Sequence, residues 1–233
     1  MNSYNQKEEV VNSVFSSAYK KYDLMNDLMS FGIHRLWKKK VIDWIKPQEG
    51  DTLVDVAAGT GDLAKIFSEK VNHNSQINCV EPNKGMFNTG IKKLKKFSNI
   101  SWTCAKGENL PFENNKFDFY TISFGIRNVT DINKCINEAL RVLKPGGRFV
   151  CLEFSKIDNE LLNFIYKNYS KIIPSLGSLV SGDPMPYKYL IESIDSFYNQ
   201  EDLKKIILKN GFTDVEYRNL SNGVAAIHSG WKV

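Results

Sequence analysis

Val54-Asp55-Val56-Ala57-Ala58-Gly59-Thr60-Gly61-Asp62 decides the fold of this 233-residue chain. A short apolar run leads into two glycines, and a helical pattern follows, with Leu63, Ile66 and Phe67 on one face. The stretch therefore reads as strand, tight turn and helix. Gly59 and Gly61 carry no Cβ, so backbone can approach a ligand at the carboxyl end of the strand, where open α/β sheets bind their ligands. The same two glycines would also serve a strand-to-helix turn that holds nothing.

Further strand-like runs follow at 76–80, 100–104, 117–124 and 148–154, the first being 52–57, and helical patterns lie between them. This alternation from 51 to 155 predicts βαβ units around a parallel sheet. Asp131 is a good N-cap for a helix carrying Ile132, Cys135, Ile136, Ala139, Leu140 and Leu143 on one face, and Lys144-Pro145-Gly146-Gly147 stops it. Upstream, Val11, Phe15, Ala18, Tyr22, Met25 and Met29 recur at helical spacing, as do Ile33, Leu36, Trp37, Val41, Trp44 and Ile45. Two helices are thus expected before the first strand.

Residues 159–200 read as helical but irregular, interrupted by Pro174, Gly177, Gly182, Pro184 and Pro186, which suits a cap or lid. A helix at 201–209 leads to strands at 212–220 and 224–231 joined through Ser221-Asn222-Gly223. Asn-Gly between extended runs predicts an antiparallel hairpin, because both central residues of a type I′ turn need positive φ. The expected architecture is α/β and Rossmann-like: a mostly parallel seven-stranded sheet, helices on both faces, and a C-terminal antiparallel hairpin. One domain is expected over 1–233, with N-terminal helices over the site (1–48), a cofactor-binding core (49–155), a cap or substrate segment (156–200), and the terminal helix and hairpin (201–233).

Composition narrows the function. With 42% hydrophobic and 24% charged residues the chain is an ordinary folded protein. Its 31 basic and 26 acidic residues give +5, dispersed apart from Lys38-Lys39-Lys40. No nucleic-acid footprint is present, and mild attraction to an anionic membrane surface remains open. Cys79, Cys104, Cys135 and Cys151 form no CxxC pair and there are three histidines, so neither a disulfide framework nor a His/Cys metal centre is expected. The N-terminus has no apolar core of signal-peptide length, and no uninterrupted apolar stretch of about 18 residues occurs. The expected location is the cytoplasm, with peripheral contact at the inner face of the membrane left open.

The chemistry of the glycine turn sharpens the ligand. Asp55 and Asp62 flank it; they would repel a pyrophosphate and attract an ammonium or sulfonium. S-adenosylmethionine carries both cations and no phosphate. Glu81, twenty residues past Gly61, sits where a carboxylate can accept hydrogen bonds from a ribose diol, although an NAD enzyme would place an acid there too. The discriminator is the Asp-rich turn together with the terminal hairpin.

Three blocks carry a family resemblance. The first runs from Val14-Phe15 through Tyr22-Asp23-Leu24-Met25-Asn26-Asp27 to Phe31-Gly32-Ile33-His34-Arg35-Leu36-Trp37-Lys38. The second includes Leu110-Pro111-Phe112, Ile122-Ser123-Phe124-Gly125-Ile126-Arg127-Asn128-Val129-Thr130-Asp131, Arg141 to Arg148 and Leu152-Glu153-Phe154-Ser155. The third is Tyr187-Lys188-Tyr189-Leu190 with Glu192-Ser193-Ile194, then Gly211-Phe212 and Asn219-Leu220. Along nearly its whole length the chain resembles the ubiquinone/menaquinone biosynthesis C-methyltransferases, the UbiE family. The resemblance implies methyl transfer from S-adenosylmethionine to a ring carbon of a reduced polyprenyl quinone precursor, a methoxy-benzoquinol or demethylmenaquinol. It carries the family's cofactor contacts onto Thr60, Glu81, Lys106, Gly107 and Ser123, beside Asp55, Gly59 and Gly61 of the turn. Glu81 stands where the family usually has Asp, and Lys106 where it has Asn or Asp. An ammonium cannot accept a hydrogen bond from an adenine amine, so only backbone contact is expected from Lys106-Gly107. Ala57 and Ala58 replace common glycines.

Carbon methylation requires alignment, water exclusion and a destination for the quinol proton. The candidates are Tyr22, Asp23, Asn26, Asp27, His34, Arg127 and Asn128, and the catalytic assignment falls on Arg127, Asn128 and Tyr22. Arg127 would stabilise a developing quinolate, directly or through a water, and Asn128 would orient the ring. The plainer readings are that Arg127 pairs with Asp131, Tyr22 faces the core, His34 is solvated, and Lys38-Lys39-Lys40 is an exposed helix face, docking on anionic lipid being its functional alternative. Leu161, Leu162, Phe164, Ile165, Tyr166, Tyr169, Ile172, Ile173, Leu176 and Leu179 are expected to line a groove for the prenyl tail, unless they are core. Homodimerisation and membership of a quinone-biosynthesis complex are further partner expectations, as is the polyprenyl quinol itself. A methyltransferase for another small molecule, a cofactor-binding scaffold with little turnover and an NAD-binding oxidoreductase are the competing functions.

Overall fold

A computed structural model describes Val11, Asp27, Ser30 and residues 32–157, 159–181 and 184–233, leaving aside the side chains of 167, 170, 173 and 175–181. Helix α1 (His34–Ile45) leads to β1 (Leu53–Val56), α2 (Asp62–Lys70), β2 (Ile77–Val80), α3 (Lys84–Lys93), β3 (Ile100–Thr103) and β4 (Phe117–Ser123). A 3-10 turn at Ile126–Asn128 precedes α4 (Ile132–Val142), β5 (Leu143–Phe154), α5 (Glu160–Ser181), α6 (Met185–Ser196), α7 (Gln200–Lys209), β6 (Thr213–Leu220) and β7 (Ala225–Trp231).

The strands form one sheet in the order β3-β2-β1-β4-β5-β7-β6. Strands β1 to β5 pair in parallel, and β7 runs antiparallel to both its neighbours. This is the expected seven-stranded sheet with its terminal hairpin. Chain order reverses between β1 and β4, which makes their carboxyl ends the switch-point crevice. Val56 lies level with Val80 and Ile122, so the segments that follow β1, β2 and β4 emerge together at that edge.

Both faces of the central strands are buried, as a parallel sheet requires. Leu53, Ile77, Phe119, Val150 and Leu152 pack against Trp37, Val41, Ile42, Leu63 and Phe67 of α1 and α2. Val54, Val80, Tyr120, Phe149 and Cys151 pack against Cys135, Ile136, Ala139, Leu203 and Ile207 of α4 and α7. Period-two alternation along β1 and β5 thus feeds two cores, each fully buried Leu, Ile or Phe contributing about 1.5–3 kcal/mol.

Four local expectations change. Helix α3 was not read from the sequence; Asn83 caps it, accepting from the Gly85 and Met86 N–H groups. Helix α4 ends at Val142, capped by Asp131 and stopped as expected, but β5 begins at Leu143 and takes in Lys144-Pro145-Gly146-Gly147 as an irregular start, where the strand was expected from 148. Helix α5 continues across Pro174, where an interruption was expected. In the hairpin, Asn222 and Gly223 do take positive φ (55° and 94°), and Ser221 joins them at 48°, so the connection is longer than a two-residue turn.

Candidate active site

The turns after β1, β2 and β4 and the loop after β3 enclose a cleft at the switch point. Its walls include Ala57, Gly59, Glu81, Asn83, Met86, Lys106, Gly107, Glu108, Phe124, Gly125, Asn128 and Thr130, and it holds about 780 Å³ of space, its open mouth included. A smaller chamber, about 350 Å³ with its open mouth included, shares Ala57, Gly59 and Phe124 and adds Lys38, Asp55, Ala58, Thr60, Asp62, Leu63 and Ser123.

The walls are tightly built. Ala57 and Phe124, at the ends of β1 and β4, both have left-handed backbone (φ 51° and 55°), a conformation that costs an L residue about 1–2 kcal/mol. Gly125 lies so near Ala57 that a Cβ on it would collide with the Ala57 Cβ. Gly61 (φ 82°) lines neither cavity; Leu94 and Trp102 fill the space a Cβ would need, so it shapes the turn and its packing. A Cβ on Gly107 would press on Cys135 and Val56 at 3.0 Å.

Glu81 is buried and ties two turns together, Oε2 accepting from the Gly59 N–H and Oε1 from the Asn83 N–H, each at 2.9 Å. Burial pushes its carboxyl up to about 7 against the pull of those two bonds. Each oxygen keeps a second lone pair for a diol. Asp55 accepts from the Thr121 hydroxyl at 2.8 Å through Oδ1, while its Oδ2 is buried with no hydrogen-bond partner. Burial raises this carboxyl to about 7 as well, with Thr121 and then the Lys38 charge opposing. Ser123 Oγ is likewise buried and unpartnered.

Asp62 behaves differently from Asp55. Lys38 donates to its Oδ2 at 3.0 Å and Lys93 to its Oδ1 at 2.6 Å, and Lys93 also donates to Thr60 Oγ1 at 2.8 Å. Burial alone would raise the Asp62 carboxyl; the Lys38 charge and the Lys93 hydrogen bond and charge outweigh it and hold the group well below the ordinary range. The two aspartates read alike in sequence therefore differ: one is neutralised, and the other has an oxygen to offer a cation.

Arg127 does not pair with Asp131. Its guanidinium is buried against Glu153, Nη1 donating to Oε1 at 2.5 Å and to the Phe124 carbonyl at 2.8 Å, with Nε 3.4 Å from Ser193 Oγ. It borders a separate polar cavity beside Tyr189, Glu192 and Ser193. Asn128, the next residue, does line the cleft, and its Oδ1 accepts from the Tyr189 hydroxyl at 2.9 Å. Glu153 was missed by sequence reasoning because nothing local marks a carboxylate inside a strand as an ion-pair partner. Tyr189 and Ser193 had a usable signal: four residues apart on a helix, they share a face.

Two N-terminal expectations are overturned. His34 is wholly buried, its Nδ1 3.1 Å from Ser30 Oγ and 3.5 Å from Asp27 Oδ1, and burial, reinforced by the Lys38 charge, lowers it to about 4. Lys38 is buried too, while Lys39 and Lys40 are exposed. His34, Trp37, Lys38 and Val41 fall on the inward face of α1, which the basic run concealed. Tyr22, Asp23 and Asn26 lie outside the described residues. On α5, Leu161, Phe164, Ile165 and Ile172 are exposed, while Tyr166 and Tyr169 pack on the core.

An α-amino acid end with its ammonium suits the unpartnered Asp55 and Ser123 atoms, and a ribose suits Glu81; the residues present fit S-adenosylmethionine. Among the described residues no group of His, Cys, Asp and Glu could hold a metal ion.

Comparison with known proteins agrees. The model of the ubiE/COQ5 methyltransferase family matches residues 3–232. A ubiquinone/menaquinone biosynthesis C-methyltransferase UbiE of Rickettsia bellii (strain OSU 85-389) is 48% identical, covering 98% of this chain and 95% of the relative. The protein of the same name from Brucella abortus (strain S19) is 46% identical over 98% of this chain and 87% of its own length. Among solved structures, a SAM dependent methyltransferase from Aquifex aeolicus superposes with a TM-score of 0.68 at 19% identity, over 93% of this chain and 98% of that one, and shares the fold.

Proposed function

The chain belongs to the ubiE/COQ5 methyltransferase family, and from that membership we propose that it methylates a ring carbon of a reduced polyprenyl quinone precursor. The substrate is 2-polyprenyl-6-methoxy-1,4-benzoquinol, demethylmenaquinol or both, and the methyl donor is S-adenosylmethionine. The observation that carries this reading is the pair of cavities at the switch point: a chamber suited to an amino-acid end opens beside a cleft walled by Glu81, Gly107 and Asn128.

S-adenosylmethionine, when bound, supplies an electrophilic methyl on a sulfonium. The chain's residues must align the ring carbon, exclude water and favour loss of the quinol proton, because a deprotonated quinol is the stronger nucleophile. Asn128 orients the ring from the cleft wall. Arg127, whose guanidinium is buried against Glu153 and borders the neighbouring cavity, acts on the quinolate by polarising a water; a guanidinium is already protonated at neutral pH and takes up no proton itself. Glu153 fixes the guanidinium, and Tyr22 completes the catalytic set.

Among the described residues no helix is long and apolar enough to cross a membrane. The exposed Leu161, Phe164, Ile165 and Ile172 of α5, with the net charge of +5, favour shallow contact with the anionic inner face of the membrane, where a prenylated substrate resides. A homodimer or a quinone-biosynthesis complex is proposed as a further partner. The test is mass spectrometry of short-chain demethylmenaquinol and methoxy-benzoquinol after separate incubation with the protein and S-adenosylmethionine under reducing conditions. A gain of one methyl on carbon is expected. No gain in either, with S-adenosylhomocysteine binding intact, would overturn the substrate assignment.

A further inference from the structure

Of the three consecutive lysines in α1, Lys38 alone is buried, and it forms part of the wall of the small chamber behind the glycine turn. Its ammonium meets Asp62, which Lys93 also meets. The Lys38 ammonium thus brings a positive charge to the wall of the chamber. An ammonium has three N–H donors, and the bond to Asp62 uses one of those on Lys38. The same lining holds two acceptors: Asp55 Oδ2 is a buried carboxylate oxygen without a partner, and the Ser123 hydroxyl is likewise unpartnered. With the Lys38 ammonium and the Asp55 carboxylate both in its lining, the chamber complements a zwitterionic α-amino acid.

We infer that Lys38 is a cofactor-binding residue: the N-terminal helix delivers its ammonium to the carboxylate of the cofactor's amino-acid end, while Asp55 receives the ammonium of that end. The inference rests on the cofactor reading above. It gives the buried lysine a reason that packing does not supply, since a buried ammonium is stabilised only by the charges and acceptors around it. It also makes the cofactor a second link, beside the Lys38–Asp62 pair, between α1 and the turn after β1. Replacing Lys38 does not strand Asp62, which keeps Lys93, and Trp37, Val41 and Ile42 hold α1 on the sheet.

Calorimetric titration of the full chain tests this without turnover. The probes are S-adenosylhomocysteine and 5′-deoxy-5′-(3-aminopropylthio)adenosine, which is the same molecule without its carboxylate. Wild type is expected to prefer the former by about 10- to 100-fold, the range of a hydrogen bond to a charged group. In Lys38→Met the preference falls to near unity through weaker S-adenosylhomocysteine binding, with the carboxylate-free probe changed by less than about two-fold. Lys38→Arg and the exposed control Lys39→Met keep the preference. Equal binding of both probes by wild type, or full preference in Lys38→Met, would overturn the inference; wild type that binds neither probe would instead sink the cofactor reading itself.

Discussion

The Tyr189 hydroxyl donates to Asn128 Oδ1 at 2.9 Å, and this bond orients an amide on the wall of the cleft. Oδ1 is turned towards the Tyr189 hydroxyl, and Nδ2, 3.5 Å from the Phe124 carbonyl, carries two N–H donors, one of which remains to offer. Burial raises the Tyr189 phenol, the Arg127 charge opposing, so it stays protonated and able to donate. An N–H donor suits a developing quinolate oxygen. Tyr189→Phe is expected to lower kcat about 10-fold, one hydrogen bond's worth, with S-adenosylhomocysteine affinity unchanged. In an Asn128→Ala background the same change should do nothing further. Multiplying effects in steady-state kinetics would show that Tyr189 acts elsewhere.

Arg127 and Glu153 form a buried ion pair, so the simple test of Arg127 confounds stability with chemistry. Arg127→Met alone leaves a buried carboxylate that burial already pushes upward, and should cost about 3–5 kcal/mol in denaturant unfolding. Adding Glu153→Met should restore most of that stability, since well-packed apolar replacements of such pairs are often neutral. Turnover should stay lost in the double variant. Recovered turnover would remove Arg127 from the chemistry.

Gly125 and Ala57 should behave as a complementary pair. Gly125→Ala forces a methyl against the Ala57 Cβ and is expected to cost on the order of 2 kcal/mol and weaken S-adenosylhomocysteine binding. Ala57→Gly removes both the obstructing methyl and the strain of an alanine at φ 51°, a relief of about 1 kcal/mol. The double variant should regain wild-type affinity in calorimetry. A double variant as weak as Gly125→Ala would mean the close approach is not what forbids the side chain.

Asp55 gives a pH signature. Its ordinary value of 3.8 rises to about 7 in the fold, chiefly through burial, so between these values the folded state binds more protons than the unfolded. The stability this contributes is complete below about pH 4 and lost as pH rises towards 7. His34 and His228, both lowered by burial from 6.5 to about 4, act oppositely, losing stability as pH falls from 6.5 to 4. Asp55→Asn isolates the first slope: its Tm minus that of wild type should grow from pH 4 to 7, by on the order of 5 °C, then level off. A difference that does not change with pH would show Asp55 ionising as freely in the fold as outside it.

The strands, the switch-point turn and the terminal hairpin were legible because each rests on local sterics and periodicity. Gly59 can turn where other residues strain, alternation along β1 and β5 feeds two faces, and Asn222-Gly223 takes positive φ. Asp131 capped its helix for the same local reason, and even Glu81 was placed by its distance along one βαβ unit. Charge partners were not legible. Arg127 finds Glu153 26 residues on and Ser193 66 residues on, and Asp62 is held by lysines 24 residues before it and 31 after. The buried side of α1, which takes Lys38 and His34 inward beside an exposed Lys39, follows from where that helix lies against β1 and α2. A residue's own preference for strand, turn or cap is written in its nearest neighbours, whereas the energy of a buried charge depends on groups that only the closed sheet brings within a few ångströms.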